Sequence, residues 1–286
     1  MPALDRVKAL LDRKGIRNVL VPITSRLARS HDKGVKRIFY DDGIWMHATA
    51  KGYFAYHQPY VGLDMIKMEE AARENFFWGY RPREEDVVVD IGAGVGEEAL
   101  IFSRAVGPRG KVVCVEAHPR TYRCLQKLVE YNDLENVVCM HRAVAGNNGS
   151  ALIEDSRAYL GNRLNSPKGI AVRAVTVDAL VEELGLERIH FLKMNIEGAE
   201  RLAILGMGET LKRTEVLCIS CHDFLASKAG DDSLRTKDEI TQFIRQNGMT
   251  MLERGDPKPY LRDQVWAWNP EIARDYRAPE MAARSA

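Results

Sequence analysis

From residue 86 onward the chain repeats one pattern: a short apolar run, a turn, then a stretch with apolar positions at helical spacing. "DVVVDI" (86–91) predicts a buried strand, followed by a glycine turn and a helix from about 96 to 106. "KVVCVEA" (111–117) predicts a second strand. A helix should follow from Pro119 to about Tyr131, with proline at a helix start, where it is tolerated. "NVVCMHRAV" (136–144) predicts a third strand, residues 145–170 read as irregular, and "VRAVTV" (172–177) as a minor strand. A short helix over 177–185 precedes the strands "RIHFLKMN" (188–195) and "TEVLCISC" (214–221), with a helix between them. A helix over 236–248 and a closing hairpin of "MTMLERG" and "DQVWAWN" complete the pattern. Alternation of this kind builds a mostly parallel sheet covered by helices, an α/β fold.

The first 80 residues read differently. Leu4, Val7, Leu10 and Leu11 predict a helix over 3–14 that stops at Gly15. Residues 39–62 are dense in aromatics and broken by glycine and proline, which predicts short strands and loops. "LDMIKMEEAARENFFWGY" (63–80) predicts a helix. The expected division is an N-terminal helical arm with an aromatic-rich cap or lid (1–80), a main domain (81–270) and a tail (271–286).

Composition narrows the function classes. The 286 residues carry a net charge of +1, which gives no overall bias toward nucleic acid or membrane. The charge is uneven: residues 1–40 hold ten Lys/Arg and three Asp/Glu, a local excess of +7. That arm is a candidate for contact with an acidic surface or for homo-oligomer formation, or is simply a solvated helix face. No apolar run approaches the roughly 20 residues needed to span a bilayer. Five cysteines are an odd count, so the expectation is a reduced, cytoplasmic protein. "CISCH" (218–222) matches a haem-attachment string, but it lies within an apolar run, where cysteines pack as small hydrophobes.

The turn "VVVDIGAGVGEEA" places Gly92, Gly94 and Gly96 between a strand and a helix, where backbone N–H groups can cradle a ligand. The dinucleotide fingerprint needs Gly or Ala where this chain has Glu97, and a carboxylate there repels a pyrophosphate. Asp90, just before the turn, is a further poor neighbour for phosphates. A ligand carrying an ammonium and a sulfonium fits better, and S-adenosylmethionine is such a ligand. Asp90 would hold its ammonium directly or through water. Glu116, ending the second strand, would accept its ribose hydroxyls.

The segments "VVVDIGAGVGEEAL", "GKVVCVEAHPRTYRCLQKLVEYN", "VTVDALVEELGLERIHFLKMNIEGAE" and "VLCISCH" resemble the FkbM-type S-adenosylmethionine-dependent methyltransferases over about residues 84–223. The resemblance implies a class I, Rossmann-like doubly wound sheet of seven strands with the last antiparallel. It also implies methyl transfer, most often to a hydroxyl of a sugar or natural product. It gives cofactor roles to Asp90, Gly92, Gly94, Gly96 and Glu116, and puts Arg142 and Ala143 near the adenine. The chain departs from the pattern at Gly94, usually Asn, and at Asn195, usually Asp.

Asn195 bears on mechanism. An amide positions or ligates but cannot act as a base, so a weakly acidic sugar hydroxyl must lose its proton to another group. His222, at the end of the neighbouring strand, is the expected base, and Asp223 would orient it only if the chain turns there. Asn195, Glu197, His222 and Asp223 are also the ligands a Mg²⁺ would draw on, although His is an unusual partner for that ion. Glu200 reads as a charge at a helix start and His190 as a packed core or surface residue; His118, following Glu116, is a candidate contact of the adenosine, and His141 is open to either reading. Trp45, His47, Tyr53, Phe54, Tyr56, His57 and Tyr60 are too dense for a plain linker. Tyr53, Tyr56, His57 and Tyr60 are the expected contacts of a small-molecule or oligosaccharide acceptor; packing in a cap is the alternative. Against a sugar O-methyltransferase stand a nitrogen methyltransferase acting on nucleic acid or protein, disfavoured by the near-neutral charge, the lack of a basic stripe outside the N-terminal arm and the lack of an "NPPY"-type motif, and a cofactor-binding protein without catalysis.

Overall fold

In the computed structural model the described residues are 14–30, 34–60, 64–155, 169–273 and 276. A helix α1 (Lys14–Ser30) precedes a meander of β1 (Val35–Asp41), β2 (Ile44–Thr49) and β3 (Gly52–Tyr56), then α2 (Met65–Phe76). The alternating part follows: β4 (Val87–Ile91), α3 (Glu97–Val106), β5 (Lys111–Glu116), α4 (Pro119–Tyr131) and β6 (Val137–His141). After β7 (Ala143–Val144), β8 (Gly149–Ile153) and β9 (Ile170–Val175) come α5 (Val177–Glu183), β10 (Ile189–Met194), α6 (Glu200–Ala203), α7 (Gly208–Leu211) and β11 (Thr214–Ser220). The chain closes with α8 (Asp223–Ala229), α9 (Lys237–Gln246), β12 (Thr250–Leu252), α10 (Pro259–Arg262) and β13 (Gln264–Trp268).

Seven strands form one sheet in the order β12-β13-β11-β10-β4-β5-β6. The five from β11 to β6 are parallel, and β13 runs antiparallel to both its neighbours. The chain leaves β4 toward β5 and β6, then returns to the other side of β4 through β10 and β11. That reversal opens a crevice at the C-terminal ends of β4 and β10, the usual ligand position in open α/β sheets. Both faces are packed. Val89, Ile91, Leu192, Met194 and Leu217 share one core with α5 and α9. Val88, Phe102, Phe191, Val216 and Trp266 share the other with α3. Side chains alternate across a strand, so Cys218 falls in the second core and Cys221 in the first. Burial pushes both thiols up.

Several elements differ from expectation. The helix expected over 3–14 lies outside the described residues apart from its last position. Gly15 does not stop a helix, because α1 contains both it and Pro22. Tertiary packing overrides these breakers: Ala28, Leu20 and Val21 meet Val35, Ile38 and Trp45. Ser25 Oγ further pins α1 to β1, donating to Ile38 O at 2.5 Å and accepting from Ile38 N at 2.9 Å. The third strand breaks at Arg142, and β7 leaves to pair with β9 in a second sheet ordered β7-β9-β8. β8 falls where irregular chain was expected; its pairing with β9 is made at a distance that local pattern does not show. The helix between β10 and β11 is cut into pieces around Gly206 and Gly208. No helix among the described residues is long and apolar enough to cross a membrane.

Candidate active site

The glycine turn closes the end of β4. Gly92 N and Ala93 N donate to Val115 O at 2.9 and 3.1 Å, Gly94 N to Glu116 Oε2 at 3.0 Å, and Gly96 N to Ala93 O at 3.0 Å. The expected cradle of free N–H groups is therefore largely consumed within the protein. Gly92, at φ +79°, lies against β10: a Cβ there would sit 2.0 Å from Asn195 O, so no side chain fits. Gly94, at φ +58°, is the reverse, with nothing within 4 Å of where its Cβ would be. Its missing side chain leaves room for a ligand. Gly96 faces away, toward Leu125 of α4.

Glu116 sits in this cleft with both oxygens engaged, Oε2 by Gly94 N and Oε1 by His118 N at 2.8 Å. Burial pushes its carboxyl up to about 7. Each carboxylate oxygen has a second lone pair, so ribose hydroxyls could still be accepted. The cleft also takes in Arg142, Ala143, Asn195, Ile196 and Glu197. Asp90 does not line it. Its carboxylate is fully buried and lies 2.7 Å from Lys193 Nζ, which also donates to Gly92 O at 2.9 Å. Asp90 and Lys193 face one another across β4 and β10 in register. The ammonium that Asp90 was expected to hold is thus the chain's own. Lys193 is the residue the sequence reading missed, although a lysine inside an apolar strand signals a buried partner.

A second cleft opens beyond the first. It is lined by Asn75, Phe76, Asn195, Glu197, Ser220, Cys221, His222, Phe224, Leu225, Tyr260 and Gln264. Asn195 and Glu197 line both clefts and so form the wall between them. The amide oxygen of Asn195 is buried and has no hydrogen-bond partner among the described residues. Glu197 holds a left-handed φ of +57°, which costs a non-glycine residue about 1–2 kcal/mol. Strain of this kind concentrates at functional sites.

His222 lies between two carboxylates, with Nε2 3.5 Å from Glu197 Oε2 and Nδ1 3.4 Å from Glu200 Oε1. Glu200 is fully buried, and its oxygens accept Ile196 N and Gly198 N, each at 2.8 Å. It stands at the start of α6 as expected, and it is also a fixed carboxylate behind the imidazole. The expectation for Asp223 is corrected: its Oδ1 accepts from Thr236 N at 2.9 Å and Lys237 N at 3.1 Å, holding the start of α9. The chain turns after β11, but it turns Asp223 away. The proposed Mg²⁺ ligands are accordingly not gathered as a set, and no group of three His, Cys, Asp or Glu among the described residues is placed to hold a metal ion.

The glycine turn, the strand-ending Glu116 and the two clefts that adjoin at Asn195 and Glu197 thus stand together at the C-terminal ends of the parallel strands. The sequence profile of the methyltransferase FkbM domain matches residues 90–251, which include the first cleft and the Asn195, Glu197 and His222 side of the second, but not Asn75, Phe76, Tyr260 or Gln264. The chain belongs to the FkbM methyltransferase family. It is 23% identical to the hexuronic acid methyltransferase AglP of Haloferax volcanii over 143 residues, 49% of this chain and 57% of that protein. It is 26% identical to the 2-O-methyltransferase NoeI of Sinorhizobium fredii over 156 residues, 47% of this chain and 63% of that protein. The chain thus spans about six-tenths of each of these relatives. The crystal structure of an FkbM methyltransferase from Methylobacillus flagellatus superposes with a TM-score of 0.50 at 17% identity, covering 73% of this chain and 51% of that one.

The remaining candidates of this member of the FkbM methyltransferase family make contacts within the fold. His118 caps α4: its Nδ1 lies 3.1 Å from Thr121 Oγ1 and its Nε2 3.3 Å from Asp155 Oδ1, and burial holds its pKa below the usual histidine value. His141 stacks on Tyr122 and lies 3.1 Å from Ala117 O. His190 accepts from Val87 N. The four acceptor candidates line neither cleft. Tyr53 makes two backbone hydrogen bonds to Asn132 at the end of α4, and its ring meets Tyr131. Tyr56 donates to Glu97 Oε1 at 2.6 Å, Tyr60 packs on Tyr56, and the His57 ring lies 6.3 Å from His118. Trp45, His47 and Phe54 are buried, and burial lowers His47 to a pKa of about 4, which keeps it neutral. The segment packs on α3 and α4 through Ile44, Met46, Phe54, Val95 and Leu128. In place of those four, Phe76, Phe224 and Tyr260 supply the aromatics at the second cleft.

Proposed function

We propose that this FkbM methyltransferase uses S-adenosylmethionine to methylate a hydroxyl of a carbohydrate or glycosylated natural product. The observation that carries the reading is the wall of Asn195 and Glu197, common to a cleft suited to the cofactor and a cleft suited to the acceptor. The first cleft suits the cofactor on three counts. Gly94 leaves open space, Glu116 can accept ribose hydroxyls, and the consumed N–H groups of the turn disfavour a pyrophosphate. The cofactor, when bound, supplies a methyl group already activated by its sulfonium.

The chain then has to position the acceptor and remove a proton. Asn195 Oδ1, a buried acceptor without a partner among the described residues, orients a donor at the wall. His222 takes the proton of the acceptor hydroxyl, and Glu200 and Glu197 stabilise the resulting imidazolium. The names of the two relatives, a hexuronic acid methyltransferase and a 2-O-methyltransferase, support an oxygen acceptor on a sugar. The test is transfer from methyl-labelled S-adenosylmethionine to a panel of glycans and glycosides, with RNA and protein in parallel. Label should enter sugars as an O-methyl group. Label in RNA or protein and in no sugar overturns the proposal.

A further inference from the structure

We infer that the sugar ring received at the second cleft carries no carboxylate, so that the methylated hydroxyl belongs to a neutral residue of a glycan. This rests on the function proposed above and narrows it. Among the described residues lining the cleft, the only carboxylate is Glu197, and there is no Lys or Arg. The buried Glu200 adds a second negative charge behind His222. A uronate bound here would face that charge without a cation to pair with. An ionised carboxylate moved out of water without a partner is strongly disfavoured.

Among the described residues, the cations nearest the cleft already have partners. Arg254 donates from Nη1 to Gln264 Oε1 at 2.9 Å and to Asn75 O at 3.4 Å, two groups of the cleft wall, and its charge is paired with Asp256 at 3.6 Å. Lys237 donates its ammonium to Arg262 O at 2.5 Å. Lys258 pairs with Glu74 at 2.5 Å. A positive charge on His222 would already be shared by Glu197 and Glu200. What the cleft does offer suits a ring rich in hydroxyl donors. Glu197 and Asn195 Oδ1 accept hydrogen bonds, and Phe224 and Tyr260 are aromatic walls whose ring centres lie 6.5 Å apart.

The experiment compares pairs of oligosaccharides that differ only by oxidation of C6 to the uronate, using methyl-labelled S-adenosylmethionine. The neutral member should have a kcat/KM at least roughly tenfold higher, the consequence of one unpaired like charge at close range. Raising ionic strength from about 0.05 M to about 0.5 M should narrow that ratio, and Glu197→Gln should narrow it further. Equal or faster methylation of the uronate overturns this inference and leaves the proposed function standing. Methyl transfer to neither member of any pair removes both.

Discussion

Lys193→Met offers the sharpest test of how the cofactor cleft is built. Lys193 is 2% exposed and its ammonium is shared between the fully buried Asp90 carboxylate and the Gly92 carbonyl. Removing one member of a buried ion pair leaves the other charge unpaired, at a cost of about 3–5 kcal/mol. At roughly 2–4 °C per kcal/mol, the melting temperature should fall by about 6–20 °C. The companion variant Asp90→Leu/Lys193→Met removes both charges, and apolar replacement of a whole buried pair is often close to neutral. It still lacks the bond to Gly92 O, worth about 1.5–3 kcal/mol for a charged donor, so it should recover part of the loss and not all of it. Urea unfolding of the two variants beside wild type, with midpoint and slope fitted separately, gives the numbers. Cofactor titration should show both variants weakened, because Gly92 loses its anchor in each. A single variant within about 1 kcal/mol of wild type, or a double variant less stable than the single, refutes the reasoning.

Other outcomes follow from the same geometry. Glu116 has its carboxyl raised to about 7 by burial, and ribose hydroxyls favour the ionised form. Affinity for S-adenosylmethionine should therefore rise as pH passes upward through about 7 and fall below it, while Glu116→Gln should be flat; a flat wild-type profile in calorimetry contradicts this. His222→Gln should slow single-turnover methyl transfer by about 10²–10⁴-fold with cofactor affinity unchanged, and a wild-type rate removes His222 as the base. Asp223→Ala should cost about 0.5–2 kcal/mol of stability through the start of α9, without a matching loss in the chemical step once the protein is folded. Gly94→Ala should reduce cofactor affinity at a stability cost of about 1–2 kcal/mol, whereas Gly92→Ala, facing Asn195 O at 2.0 Å, should fail to give folded protein; equal behaviour of the two in thermal unfolding would count against the turn as described.

The sheet was legible because its signals are local. Runs such as "VVVDI" and "KVVCVE" are apolar throughout, as strands covered on both faces must be, and Pro119 marks the start of α4. Glu116 and the glycine turn were legible for the same reason. What could not be read were choices made between distant residues. Asp90 answers to Lys193 on the next strand, Asp223 to the backbone of Thr236 and Lys237, and Tyr53 to Asn132. Each is a polar group whose nearest partner lies far off in the chain, so composition and spacing name the group and not its direction. Glu200 shows the same limit: its glutamate stands where a helix start would place one, yet its carboxylate folds back on Ile196 and Gly198 and meets His222.

The central claim is that methyl donor and acceptor meet across the wall of Asn195 and Glu197. A crystal structure of the protein with S-adenosylhomocysteine and a methyl-accepting glycan tests it most directly. The account predicts the ribose at Glu116, the sugar ring between His222 and Tyr260, and the reacting hydroxyl directed past Asn195 toward the sulfur. A third concavity, of about 670 Å³ between α2 and α3, is lined by Met65, Arg73, Phe77, Glu97 and Arg104 and shares no residue with either cleft. A glycan found there, or a cofactor bound away from Glu116, would contradict the account.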